Sequence, residues 1–193
     1  MSCPEQKEKL RAQLREAYGR IVYSNTTHLK AVDKLILKNN RMKSCQIALS
    51  AITTGGFLST FIINEGFLKY VTGLASVLSL GLNIYLKNFE LDTLSKEHQI
   101  AANDLWLIRE KYISLLTDMD DMTIDQIIAT RDMLQDDTHN VYKTSPKTDA
   151  DSYAMAQKAL KTEEEQFFTD EELNQILPKH LRIPIKKEFL NNK

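Results

Sequence analysis

Residue types able to do chemistry are sparse in this chain, and their spacing brings few of them together. The four histidines stand at 28, 98, 139 and 180, too far apart for a local metal-ligand motif. Two cysteines, Cys3 and Cys45, are too few and too ill-placed for a disulfide framework or a zinc site. Cys45 suits a small apolar role, or acylation at a membrane edge. Asp118, Asp120 and Asp121 cluster, with Asp136 and Asp137 beyond. They lack the glycine and terminal glutamate of a calcium loop, and read as solvated faces near helix ends. Neither a glycine-rich phosphate loop nor a serine elbow is present in the sequence. No catalytic residue, metal ligand or cofactor is therefore expected.

What remains is a pattern of uncharged polar side chains set in apolar sequence. Gln46, Ser50, Thr53, Thr60 and Asn64 fall on one helical face, interrupted by Phe57, and Thr72, Ser76, Ser79 and Asn83 fall on another. On membrane helices such residues either line water or bond another helix. The glycines at 55, 56, 73 and 81 favour close helix packing, and Ser and Thr can bond their own backbone. Packing and pore are both open at this level. Two helices cannot enclose a channel, so a pore requires several copies, and a neutral lining makes it weakly selective. Ser76, Ser79 and Asn83 are the first candidates for that lining, with Thr72, Ser50 and Thr53 next.

The elements that must position these residues are two uncharged stretches, 44–63 and 70–86, separated only by NEGFLK. A charge at the centre of a membrane helix costs about 2.5–3.5 kcal/mol on insertion scales, so the joint absence of charge predicts a transmembrane hairpin. At about 1.5 Å per residue the first stretch covers the roughly 30 Å hydrocarbon core. The second is short, with Tyr70 and Tyr85 placed for the two interfaces. A buried hairpin in a soluble bundle is the alternative, but neither stretch has the polar outer stripe such a helix needs. Lys34, Lys38, Arg41 and Lys43 precede the first span, Lys87 and Lys96 follow the second, and the loop offers only Lys69 beside Glu65. Both termini are thus expected on the cytoplasmic side. The net charge of −1 hides an asymmetry: ten Lys/Arg against four Asp/Glu over 1–43, thirteen against twenty-one over 88–193. The basic segment serves topology and attraction to anionic lipid, and no direct nucleic-acid partner is expected. The first apolar run starts far from Met1, so a signal peptide is not expected.

Flanking the hairpin are two long amphipathic segments. Upstream, Leu10, Leu14, Ala17, Ile21, Asn25, His28, Val32 and Leu35 recur at mixed spacings of three and four. Downstream, Leu91, Leu94, His98, Ala101, Leu105, Ile108, Tyr112, Leu115 and Met119 alternate strictly. This is a coiled-coil seam, and because the helices flank one hairpin they should pair antiparallel as a stalk. Asn25, His28 and His98 fall on the seams as a register device, or as a proton-sensitive switch. Beyond Asp118, Thr123 with Gln126 opens a helix to about Leu134. A polar connector centred on Pro146 follows, then a helix from about Ser152 to Gln166. Thr169 with Glu172 opens a last helix stopped by Pro178. The tail ILPKHLRIPIKKEF is aperiodic.

This organisation resembles the SLATT family of two-transmembrane effectors found with bacterial conflict and antiviral systems. The resemblance rests on the tight hairpin and on His98, Ala101, Ala102, Leu105, Trp106, Arg109, Tyr112, Leu115, Leu116 and Asp118. The tail resembles the subgroup associated with reverse transcriptases, through Arg131-Asp132 with Leu134, Tyr142, Pro146, Thr148, Tyr153-Ala154, Ala156, Glu171-Glu172, Leu177-Pro178 and Leu181-Arg182. The resemblance implies a non-enzymatic, pore-forming effector released by a sensor, either a second-messenger system or a reverse transcriptase. The expectation is an all-α integral membrane protein of the bacterial inner membrane. An N-terminal cytoplasmic helix over 5–43 leads into the hairpin over 44–86, the stalk helix over 87–119 and a C-terminal helical region over 120–193. Its partners would be the lipid bilayer, further copies of itself and a cytoplasmic sensor protein. A non-conducting anchor that recruits a partner enzyme is the alternative.

Overall fold

The computed structural model describes residues 3–62, 66–166 and 168–183, and among these every regular element is helical. One helix, α1 (Cys3–Ile62), runs from the amphipathic segment straight into the first uncharged stretch. Pro4 sits in its first turn, where a missing N–H costs nothing, and neither Gly nor Pro occurs between Gly19 and Gly55. At about 1.5 Å per residue its 60 residues span about 90 Å. The second stretch lies in α2 (Gly66–Phe89). Glu90 then adopts a left-handed conformation (φ 38°, ψ 47°), and α3 (Leu91–Asp118) resumes beyond it. A non-glycine residue there costs on the order of 1 kcal/mol, and it interrupts the helix at one residue, where span passes to stalk.

α1 returns along α2 and α3 antiparallel. As the α1 partner moves from Lys7 to Gln46, its counterpart falls from Asp120 to Asn83, through Asn25–Ala102 and His28–His98. The seams meet as their spacing predicts. Leu10, Leu14, Ala17 and Ile21 pack with Leu105, Ile108, Tyr112, Leu115 and Met119. Leu94 is only half-buried, and Ser95 takes the buried place beside it.

A third helix joins this core. Helix α4 (Ile124–Thr144) opens on the Thr123–Gln126 capping box and buries Ile127 and Leu134. It is ten residues longer at its C-terminal end than the expected stop at Leu134. The added turns are polar in composition, but Val141 continues the seven-residue stripe of 127 and 134 against the core. The helix ends where Ser145 precedes Pro146 and is pushed to extended backbone (φ −77°, ψ 147°). Helix α5 (Ala150–Lys161) stops short of the expected Gln166. Three glutamates follow at 163–165, and negative charge opposes the C-terminal end of a helix dipole. Helix α6 (Asp170–Ile176) has its Thr169–Glu172 capping box and ends before Pro178. The chain divides into two compact units, Met1–Ala156 and Gln157–Lys193.

The apolar surface of α2 is left bare: Phe67, Tyr70, Leu74 and Val77 are 63–81 % exposed. Among the described residues, the helix beginning at Gly66 is long and apolar enough to cross a membrane. Such a surface is stable against lipid and costly against water.

Candidate functional site

Within the hairpin, the half-buried positions of α1 at 42, 46, 49, 53 and 56 face the buried Ala75 and the half-buried positions of α2 at 72, 79, 82 and 86. The spacing of three and four marks each contact face. The helices approach closely at Gly56, where an added Cβ would clash with Thr72 Oγ1. Thr53 donates to the carbonyl of Leu49 and Thr72 to that of Leu68, both at 2.8 Å, so these hydroxyls are satisfied within their own helices. Ser79 also lies on the contact side, half-buried. Gln46 and Asn83 bond each other across the hairpin at 2.5 Å.

Ser50 and Ser76 are exposed instead. Ser50 follows Gln46 by four residues and Ser76 precedes Asn83 by seven, so both lie on the flank that carries the Gln46–Asn83 bond. The six lining candidates therefore divide. Thr53, Thr72 and Ser79 stand between the helices, while Ser50, Ser76 and Asn83 form an open, uncharged polar strip. Asn64 lies outside the described residues, as does the side chain of Thr60. Chemically the strip offers hydrogen bonds without charge, to water or to the same strip of another copy.

In the stalk the three singled-out polar residues come together. Asn25 Nδ2 donates to the carbonyl of Ala102 at 2.7 Å. One turn on, the Nδ1 atoms of His28 and His98 are 2.9 Å apart, so one ring donates and the other accepts. Both rings are buried, at 4 % and 3 % exposure. Burial, reinforced by the neighbouring His98, lowers the pKa of His28 to about 4. Burial also lowers that of His98, although the Asp149 and Glu97 carboxylates pull it up. The pair is neutral at physiological pH and bonds α1 to α3.

Two features had no sequence signal. Beside His28 opens a cleft of about 340 Å³ walled by Tyr23, Tyr142, Lys147 and Tyr153, where Ser24 and Tyr142 share a 2.8 Å hydrogen bond. Below it, Lys34 donates to Asp149 at 3.1 Å and to Asp151 at 2.9 Å, fastening the start of α5 to α1. Asp149 also accepts from the Ser152 N–H and so caps α5. Nothing in the local pattern links residues more than a hundred positions apart. Among the described residues, no three His, Cys, Asp or Glu side chains converge as metal ligands.

No curated protein and no solved structure matches the chain. A family model does, over residues 10–172, from the first core leucine of α1 to the capping box of α6. With its bare apolar helix and long antiparallel hairpin, the chain belongs to the SMODS and SLOG-associating 2TM effector domain family 4, and is a membrane protein of the SLATT type.

Proposed function

We propose that this membrane effector acts by oligomerising, and that the strip of Ser50, Ser76 and Asn83 lines a weakly selective path through the bilayer. The observation that carries this reading is the strip itself. It is a row of uncharged polar side chains left open on a hairpin whose exposed surface is otherwise mostly apolar. In lipid such a row needs either water or another subunit. Thr53, Thr72 and Ser79 stand one step further in and join the lining if the two helices part. Both termini lie in the cytoplasm of a bacterial cell, where a sensor, a reverse transcriptase or a second-messenger system, acts on the stalk. Because α1 is unbroken, a change of packing in the stalk is carried into the span without a hinge. The role is antiviral defence by disruption of the inner membrane.

A second reading is a non-conducting anchor whose membrane-distal helices recruit a partner enzyme. The back-bonded hydroxyls of Thr53, Ser59 and Thr72 favour it, since they need no water. Dye or ion release from liposomes carrying the full chain separates the two. Release by the wild type, abolished in an equally inserted Ser76→Leu/Asn83→Leu variant, supports the path. Release unchanged in that variant overturns the assigned lining.

A further inference from the structure

A groove of about 740 Å³ lies between the membrane-proximal part of α1 and the first turns of α5. Its floor is apolar, formed by Leu37, Met42 and Met155. Leu37 is 51 % exposed and Met155 42 % exposed. The basic side chains on its rim are Lys34, Lys38 and Arg41. Lys34 is engaged by Asp149 and Asp151 and holds the groove's two walls together. Arg41 is exposed and has no ion pair among the described residues. Asp33, at the end away from the membrane, repels an anion toward Lys38 and Arg41.

The level of the groove identifies its surroundings. Arg41 precedes the uncharged stretch by three residues and Lys38 by six, about 4.5 and 9 Å along the helix axis. The headgroup layer on each side of a bilayer is about 5–7 Å thick. Lys38 reaches back toward the span: its Nζ donates to Tyr85 Oη at 2.9 Å and lies 5.4 Å from the centre of that ring. Tyr85 in turn stacks on Phe89, centroids 4.2 Å apart. Lysine reaching back over an aromatic pair is the pattern of a helix crossing the interface.

We propose that this groove is a binding site for an anionic phospholipid. The phosphodiester sits on Arg41 and Lys38, and the glycerol and first methylenes lie on Met42, Leu37 and Met155. Charge complementarity selects the headgroup, and the apolar floor distinguishes a lipid from a free anion. An occupied site would tie α5 to the bilayer through the same α1 segment that Lys34 grips. The proposal rests on the chain being in a membrane and not on its forming a pore, so a silent liposome assay leaves it standing.

The test is lipid retention by the full chain, extracted from bilayers of equal phosphatidylglycerol and phosphatidylcholine and weighed by native mass spectrometry. Retained phosphatidylglycerol should exceed phosphatidylcholine about thirtyfold, the scale set by two basic contacts at an anionic surface. The preference should vanish in Lys38→Ala/Arg41→Ala and survive in Arg15→Ala/Lys143→Ala, which removes the same charge elsewhere. Should the first double variant lose helicity, Arg41→Ala alone replaces it. Equal retention of the two lipids overturns the site, as does a preference that survives loss of Arg41 and Lys38 or falls equally in the control pair. Full displacement by soluble glycerophosphate reduces the site to an anion contact and overturns the role of the floor. A change in subunit number without a change in lipid retention assigns the groove to a second copy instead.

Discussion

The same helix, α1, makes two very different seams along its length. In the stalk it packs against α3 and α4 with Leu14, Leu105, Ile127 and Leu134 wholly excluded from solvent. Its polar seam residues there are satisfied by partners on the other helix. In the hairpin it packs against α2, where Ala75 alone is buried and the hydroxyls turn back on their own backbones. The difference follows from the solvent. Water drives apolar side chains together and penalises an unpaired buried polar group. Lipid supplies no such drive, so the hairpin relies on small residues, close approach and a few cross-helix bonds. The stalk is thus built to hold, and the hairpin to repack. On the proposed function, the moving part is expected where the packing is weakest.

The comparison breaks most visibly by cutting the core. Leu105→Ala should cost about 2–5 kcal/mol of stalk stability, the range for a leucine deleted from a packed interior. Leu58→Ala, on the exposed face of the first span, should stay within about 0.5 kcal/mol of wild type. Thermal unfolding in detergent, followed by far-ultraviolet circular dichroism, reads both. Similar losses would mean that the two seams are held alike.

Acid should act on the stalk and not on the hairpin. His28 and His98 have folded-state pKa values below their ordinary value of 6.5, and that of His28 lies near 4. The unfolded chain therefore binds more protons, and stability rises with pH wherever that holds. The pair's contribution is fully present above pH 6.5 and is lost as pH falls toward about 4. The Asp149 and Glu97 carboxylates favour the charged form of His98 and so narrow its share of that window. A His28→Gln/His98→Gln variant should flatten the melting-temperature profile across that window. An unchanged profile would place the acid sensitivity elsewhere.

Close approach in the hairpin predicts a smaller, reversible effect. Gly56→Ala puts a methyl where Thr72 Oγ1 now lies and should lower the melting temperature by a few degrees, about 1 kcal/mol in a domain of this size. Adding Thr72→Ala should restore it. Failure of the second change to rescue the first would show that the helices do not touch there. Smallest of all, Lys96→Ala removes an exposed pair with Asp92 on α3 and should shift stability by less than about 0.5 kcal/mol.

Legibility in the sequence followed the same divide. The stalk seam was readable because solvent forces a strict alternation of three and four, and eight of its nine downstream positions are buried, with Leu94 the exception. Both capping boxes were readable because their chemistry is local. The extent of α4 was not, because residues 135–144 have loop-like composition and hold a helix only through Val141 against a distant core. The division of the polar strip was hidden for a related reason. Ser76 and Ser79 share a face by angle, and only the position of α1 decides which one is covered. The Lys34 link and the groove beside it depend on chain return alone.

Thiol accessibility tests the central claim most directly. In a background with Cys3 and Cys45 replaced by alanine, single Ser76→Cys and Val77→Cys variants of the full chain would be placed in liposomes and exposed to a charged, membrane-impermeant thiol reagent. Such reagents need thiolate, which forms in water and not in lipid. The account predicts that Cys at 76 reacts and Cys at 77, on the exposed apolar face, does not. Protection of both, in protein that also releases dye, would contradict it and move the path away from the strip.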